Sequence, residues 1–154
     1  MKNIFPLLIA IGVGCANAPA DINSPLSDLG NQEEVIETPK SRRFAGALSN
    51  GMKGDSLFFD LSPDGKKLEN LTFKGYWRCG GKLEQTTVGP DVAFTVQGGK
   101  VDQHISEPHN GGSTAWRFDL QANIQGNKAS GTFRMNINNL GCDTYKLNWT
   151  AVDQ

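Results

Sequence analysis

The sequence has no long apolar run and no strong charge of one sign. Its 154 residues include 15 basic and 16 acidic side chains, a formal net charge of −1. Basic residues occur as isolated pairs, Arg42-Arg43 and Lys66-Lys67, without the interleaved aromatic residues of a nucleic-acid-binding surface. We therefore expect no nucleic-acid partner. The apolar stretch at residues 4–14 is shorter than the ~20 residues of a membrane-spanning helix.

Catalytic motifs are also missing. The sequence has no Gly-x-Ser-x-Gly turn to present a nucleophilic serine and no His-Glu-x-x-His spacing to bind zinc. Its glycine pairs are not followed by the Lys-Ser/Thr of a phosphate-binding loop, so we interpret them as turns. The sequence thus predicts no catalytic residue, no cofactor and no metal ion.

Only three cysteines are present, and their positions are informative. Cys15 follows Lys2 and the apolar stretch at residues 4–14, an arrangement typical of an export signal. Export leaves Cys79 and Cys142 as an even pair in an oxidising compartment. The two are therefore predicted to form a structural disulfide.

The residues Gly12-Val13-Gly14-Cys15 resemble the lipobox of bacterial lipoproteins. The resemblance implies that residues 1–14 are a signal peptide and that Cys15 receives a diacylglyceryl group on its sulfur. Ala16 resembles the second residue of the outer-membrane sorting class, so the expected location is the outer membrane or cell surface. Gly12 stands where the family usually carries Leu. Ordinary cleavage after Ala18 or Ala20 is the alternative, which would give a periplasmic or secreted protein.

Residues 15–40 differ in composition from residues 41–154. They contain five acidic residues, three prolines and no aromatic residue, which predicts a disordered acidic tether. From Lys40 onward the chain has 14 of the basic and 11 of the acidic residues, a formal charge of +3. Like charges extend such a segment, which would hold a folded domain away from a membrane. The alternative is that the acidic residues only add solubility.

Residues 41–154 are predicted to form a single all-β domain. Short runs of β-favouring residues are separated by turn signals, and no stretch of ten or more residues keeps a helical period. The predicted strands are residues 43–48, 56–61, 68–79, 83–88, 92–97, 101–105, 115–124, 129–137 and 145–152. Eight or nine short strands predict an antiparallel β-sandwich or a small barrel.

Three of these strands alternate apolar and polar residues, which predicts one core-facing side for each. The predicted core side chains are Trp116, Phe118, Leu120, Ala122, Phe133, Met135, Ile137, Tyr145, Leu147, Trp149 and Ala151.

Several segments follow one another in a recognisable order, namely Phe44-Ala45-Gly46, the turn-containing residues 57–73, Cys79, residues 129–133, Cys142 and residues 147–151. In this order they resemble a small, largely uncharacterised all-β module of exported bacterial proteins, in which two cysteines occupy corresponding places. The resemblance implies the same β fold and supports pairing of the two cysteines. It brings no activity, and residues 104–114 depart from it.

Residues 102–109 contain both histidines of the chain, His104 and His109, together with Asp102 and Glu107. Imidazole and carboxylate groups are ligands for divalent metal ions, so a small metal-dependent hydrolase is one alternative function. If residues 101–105 form a strand, Glu107 and His109 fall beyond its end. We therefore also consider these residues as solvated loop side chains.

A binding surface is the other candidate site. Tyr76 and Trp77 are consecutive on one predicted strand and face opposite sides of it, so we expect one of them to be exposed. Together with His104, Glu107 and His109 they form the predicted binding surface, beside the loop at residues 107–114.

The function expected from these features is that of an exported, lipid-anchored envelope protein with a binding or structural β-domain. Its predicted partners are the membrane, through the N-terminal lipid, and an envelope or extracellular protein or glycan. An inhibitor of an enzyme at the cell surface is a further alternative, because a rigid loop loses little entropy on docking.

Overall fold

The computed structural model describes residues 39–154. The predicted signal peptide at residues 1–14, Cys15 and nearly all of the predicted tether at residues 15–40 lie outside the described residues. Within residues 39–154 there is no α-helix, which confirms the all-β prediction. Consistently, no helix in this range has the length and apolar character needed to cross a membrane.

Ten strands and one short 3₁₀ turn, Asn138–Leu140, make up the described domain. The strands are β1 Arg42–Leu48, β2 Ser56–Leu61, β3 Lys67–Cys79, β4 Lys82–Val88, β5 Phe94–Thr95, β6 Lys100–Glu107, β7 Trp116–Gln125, β8 Lys128–Ile137, β9 Cys142–Asp143 and β10 Leu147–Asp153.

Six of the strands close into an antiparallel barrel in the order β10-β1-β2-β3-β9-β8, with β8 pairing back to β10. The sequence predicted either a sandwich or a barrel, and the structure shows that the fold is a barrel. Closure hides the backbone hydrogen-bonding groups that open sheet edges would expose. Outside the ring, β7 pairs with β8 and β6 pairs with β7, while β4 and β5 pair with β3.

The barrel interior is filled by aromatic rings. Phe44 stacks on Phe59 with centroids 4.9 Å apart, and Phe59 meets Trp149 edge to face at 5.7 Å. Phe73 stacks on Phe133 at 5.5 Å. The second and third of these contacts join strands far apart in sequence, so they stabilise the barrel as one unit.

The alternating patterns correctly predicted most of the core. The buried side chains include Phe118, Leu120, Ala122, Phe133, Met135, Ile137, Leu147, Trp149 and Ala151, while Trp116 is half-buried.

Tyr145 does not belong to the core, so that prediction is wrong. Its backbone takes a positive φ of 56° and its side chain is 61% exposed. The preceding Thr144 is buried instead, and the Met135 N–H donates to its hydroxyl at 2.9 Å. The Asp143 carboxylate accepts a hydrogen bond from the Tyr145 N–H at 2.7 Å. These side-chain bonds make a turn, so the last strand begins at Leu147 rather than at Tyr145.

The predicted strand at residues 92–97 is also shorter than expected. Only Phe94 and Thr95 pair with β3, opposite Leu68 and Lys67. Phe94 is buried, whereas Val92 is exposed. The segment follows Pro90 and ends before the Gly98-Gly99 turn, where both glycines have positive φ. Because Pro90 precedes the segment and the Gly98-Gly99 turn follows it, only two residues pair with β3.

The predicted disulfide is present and links Cys79 at the end of β3 to Cys142 in β9. Strand β9 completes the barrel through few contacts, since it pairs with β3 only at Arg78 and Asp143. The covalent link therefore lies beside the strand pair of the ring with the fewest paired residues.

Candidate functional site

Polar side chains cover the outer side of β6, β7 and β8. Because successive side chains of a strand alternate, Phe118 and Leu120 face the core while their neighbours point outward. The strand register aligns the outward residues in cross-strand rows. We call this surface the polar face, and it consists of Asp102, His104, Ser106, Arg117, Asp119, Gln121, Thr132 and Arg134.

The polar face contains a cleft of about 460 Å³, here called the polar cleft. Gln121 connects its rows: Thr132 Oγ1 donates to Gln121 Oε1 at 3.1 Å, and Gln121 Nε2 donates to Asp102 Oδ1 at 3.4 Å. Lys146 also lines the cleft, beside β10. Leu120 and Phe133 line it as well, but their side chains are buried in the core. The surface of the cleft is therefore part polar and part apolar, and its polar side chains are partly ordered by their own hydrogen bonds.

Charges of both signs lie around the polar cleft. Arg134 makes a two-point hydrogen bond with Asp143, with Nε–Oδ1 and Nη2–Oδ2 distances of 3.0 and 2.6 Å. This side-chain hydrogen bond raises the pKa of Arg134, so its guanidinium stays charged. Lys146 is exposed, and within residues 39–154 no ion pair involves it. Lys146 is thus a cation available to a ligand.

His104 is held by two hydrogen bonds. Its Nδ1 lies 2.6 Å from Asp119 Oδ1, its cross-strand neighbour, and its Nε2 lies 2.9 Å from Ser106 Oγ. An ionised carboxylate can only accept, so Nδ1 carries the hydrogen in this arrangement. In the neutral ring Nε2 is then an acceptor, and the Ser106 hydroxyl donates to it. Serine, histidine and aspartate are connected in the same order as in serine hydrolases.

The sequence did not predict Ser106 or Asp119 as partners of His104. Ser106 is two residues from His104 and shares its side of β6, which the strand pattern alone can indicate. Asp119 is fifteen residues away, and only the register of β6 on β7 places it opposite His104. Pairing the predicted strands at residues 101–105 and 115–124 as a hairpin was the signal that could have indicated the contact between Asp119 and His104.

A second cleft, of about 760 Å³, lies along the outer edge of β6, and we call it the edge cleft. It brings together three residues of the predicted binding surface, namely His104, Glu107 and His109. The Glu107 side chain accepts a hydrogen bond from the Asp91 N–H at 2.7 Å, which fixes one wall. Ser106 also lines the edge cleft, and His104 lines both clefts.

Trp77 does not belong to an exposed surface, so its assignment to the binding surface is wrong. It is only 6% exposed and stacks on Trp116 of β7, with centroids 5.2 Å apart and ring planes at 8°. Trp77 shares its side of β3 with the buried Leu71 and Phe73, so alternation along this strand indicates that it faces the core. Tyr76 points the other way and is 36% exposed, outside the residues that line the two clefts.

The metal-dependent alternative lacks a ligand set in the described part of the chain. No group of three or more His, Cys, Asp or Glu side chains within residues 39–154 is arranged to hold a metal ion. His104 is engaged with Asp119 and Ser106, while the Glu107 side chain accepts from a backbone N–H. The two histidines share the edge cleft but do not converge with carboxylates on one point.

Comparison with known proteins finds no matching family model, no matching curated protein and no matching solved structure. The resemblances to lipoproteins and to the exported β module therefore rest on the residues of this chain and stay predictions.

Proposed function

We propose that the protein is an exported, lipid-anchored envelope protein whose β-domain binds a charged glycan in the polar cleft. The export and anchoring part is supported by the apolar segment before Cys15 and by the lipobox-like residues Gly12-Val13-Gly14. A disulfide between Cys79 and Cys142 is consistent with a domain that works in an oxidising compartment.

The observation that carries the binding proposal is the chemistry of the polar cleft. Its wall presents a hydroxyl on Thr132, an amide on Gln121 and a carboxylate on Asp102, already connected to one another. Together the hydroxyl and the amide donate and accept hydrogen bonds and the carboxylate accepts them, which matches the hydroxyl and acetamido groups of amino sugars. Side chains held in place before binding lose little entropy when a ligand docks.

The charges that line the polar cleft restrict the class of ligand further. Lys146 offers a positive charge to a carboxylate at one wall of the cleft, whereas Asp102 offers an acceptor to N–H and O–H groups at another. A glycan of N-acetylated amino sugars that also bears carboxylate groups satisfies both.

Binding of soluble fragments of bacterial cell-wall peptidoglycan, measured by calorimetry with neutral dextran oligosaccharides as the reference ligand, tests this proposal. We expect the Gln121→Ala and Lys146→Ala variants to weaken binding of the charged fragments by about tenfold each. Gln85→Ala and Lys82→Ala replace the same residue types on β4, outside both clefts, and are expected to bind like the wild type.

Equal affinity for the charged fragments and for dextran would overturn the assignment of a charged ligand. Loss of affinity in the β4 variants rather than in the cleft variants would place the binding site elsewhere.

A further inference from the structure

We infer that Ser106, His104 and Asp119 form a nucleophilic centre that hydrolyses short-chain carboxylic esters of hydrophilic alcohols. This activity goes beyond ligand binding and does not depend on the glycan proposed above. Only the preference for a hydrophilic alcohol rests on that proposal, because it uses the neighbouring polar cleft.

The first argument is the geometry of the three side chains. The 2.6 Å contact between His104 Nδ1 and Asp119 Oδ1 fixes both the ring orientation and the tautomer. The lone pair on Nε2 is then directed at the Ser106 hydroxyl, 2.9 Å away. A hydroxyl within hydrogen-bond reach of an oriented base is the arrangement that activates a serine nucleophile. The roles depend on geometry and not on the order of residues in the chain.

The second argument is access. Ser106 is half-buried and lines the edge cleft, whereas Asp119 lines the polar cleft and His104 lines both. The edge cleft includes Val92, Ile105 and Pro108, whose apolar surfaces suit a short acyl group. The polar cleft lies on the other side of the imidazole and accommodates the hydrophilic alcohol. An ester bond held between the two clefts would therefore lie next to Ser106.

The third argument is the positive charge of Arg117, the direct cross-strand partner of Ser106. Such partners have Cβ atoms about 5 Å apart on the same side of the sheet. Arg117 Nη2 donates to the Gly112 carbonyl at 3.1 Å, and its Nη1 is buried without a hydrogen-bond partner among the described residues. Arg117 lines neither cleft and so donates no hydrogen bond to a substrate there, but its positive charge beside Ser106 stabilises negative charge that develops on the carbonyl oxygen.

The reaction balances with water as the only co-reactant. Ser106 Oγ bonds to the carbonyl carbon of the ester, its proton passes to His104 Nε2, and the π electron pair moves to the carbonyl oxygen. When this intermediate collapses, the bond to the alcohol oxygen breaks, and that oxygen takes the proton from Nε2 and leaves as the alcohol. Water then attacks acyl-Ser106 by the same route, which releases the carboxylic acid and restores the serine hydroxyl.

Esters are the substrate class that the environment favours over amides. The side chains of His104 and Asp119 are 49% and 47% exposed, so solvent screens the charges that form during the reaction. An exposed centre of this kind stabilises its transition state less than a buried one does. It can therefore expel an alcohol from an ester more readily than an amine from an amide.

The test uses the purified full-length chain, with p-nitrophenyl acetate as substrate and a fluorophosphonate probe to label the nucleophile. We expect the probe to modify the peptide that contains Ser106, as located by mass spectrometry. Ser106→Ala should lower the rate of hydrolysis by about 100-fold or more. Asp119→Asn, which preserves side-chain size, should lower kcat by about tenfold or more with little change in KM.

Ser130→Ala is the matched control, because Ser130 is an exposed serine on β8 outside both clefts. It should retain the wild-type rate and labelling. Thermal unfolding of Ser106→Ala and Asp119→Asn checks that both variants are folded. Ser106→Ala should also keep its affinity for peptidoglycan fragments, which separates failure of this inference from failure of the binding proposal.

Three results would overturn the inference. The first is a wild-type chain that neither hydrolyses the ester nor reacts with the probe. The second is probe attachment at a residue other than Ser106. The third is an unchanged rate in Ser106→Ala with loss in His104→Gln, since an exposed imidazole would then be the nucleophile.

Discussion

Trp77 of β3 stacks face to face on Trp116 of β7, with ring centroids 5.2 Å apart. Trp116 in turn stacks on Phe118, at 6.2 Å and 6°. Strand β7 lies outside the six-stranded ring, so this aromatic contact packs its core-facing side against strand β3 of the barrel. The outward residues of the same strand, Asp119 and Gln121, belong to the polar face. Packing on the inner side of β7 therefore positions the candidate site on its outer side.

Replacing Trp77 is expected to test this support. Trp77→Ala should lower the free energy of unfolding by about 3 to 5 kcal/mol, because a large buried ring leaves a cavity and Trp116 loses its stacking partner. Tyr76→Ala on the same strand is the control and should cost less than about 1 kcal/mol, since Tyr76 points away from the core and is partly exposed. Urea unfolding measures both values, and equal losses in the two variants would contradict the assignment.

The disulfide is expected to stabilise the barrel at the strand pair with the fewest paired residues. Cys79 and Cys142 are 63 residues apart in sequence, and a link that closes a loop of this length contributes about 4 kcal/mol through the entropy of the unfolded chain. The double variant Cys79→Ala/Cys142→Ala should lose about this amount in denaturant unfolding. Hydrogen exchange should increase first at β9, since few backbone pairs hold it. Unchanged protection at β9 would contradict a role for the link in closing the barrel.

Asp64 is expected to make stability depend on pH in acid. The Ser62 hydroxyl donates to its carboxylate at 2.6 Å and the Lys66 N–H at 3.0 Å, and these bonds lower the pKa of Asp64 below its ordinary value of 3.8. A carboxyl group whose pKa is lower in the folded state stabilises that state above the unfolded pKa. This contribution is lost as the pH falls through the folded pKa.

The Asp64→Asn variant keeps an acceptor in the turn but does not titrate. Its free energy of unfolding should therefore fall less than that of the wild type between about pH 6 and about pH 2. Denaturant unfolding at several pH values measures the difference. Parallel curves for the two proteins would contradict the assigned role of Asp64.

Anchoring through Cys15 predicts a particular mature chain. Intact-mass spectrometry of membrane-associated protein should show a polypeptide that begins at Cys15 and carries acyl groups. Cys15→Ser should release the protein from the membrane fraction. A soluble, unmodified chain that begins at Pro19 or Asp21 would instead establish ordinary cleavage and a periplasmic or secreted protein.

The fold was largely predictable because alternation along each strand reports which side is buried. Phe118, Phe133 and Trp149 are buried as their patterns predicted. The errors have separate causes. Trp77 shares its side of β3 with the buried Leu71 and Phe73, so its assignment to the surface contradicted the alternation of this strand. Tyr145 lies outside the core because the side chain of Asp143 accepts a hydrogen bond from its backbone N–H and forms a turn.

The candidate site was predictable only in part, because strand register brings together residues that lie far apart in the sequence. His104, Glu107 and His109 are close in sequence, and they do line one cleft. The partners of His104 depend on strand register, since Asp119 comes from β7. Gln121 and Thr132, which order the polar cleft, likewise meet only when β6, β7 and β8 are aligned.

Binding of a charged glycan in the polar cleft is tested most directly by NMR titration of the isotope-labelled protein with soluble peptidoglycan fragments. Chemical-shift changes should concentrate at Asp102, Gln121, Thr132 and Lys146, and they should be absent with neutral dextran oligosaccharides. Changes confined to other surfaces, such as the strand β4, or no saturable change with the charged fragments, would contradict the proposed function.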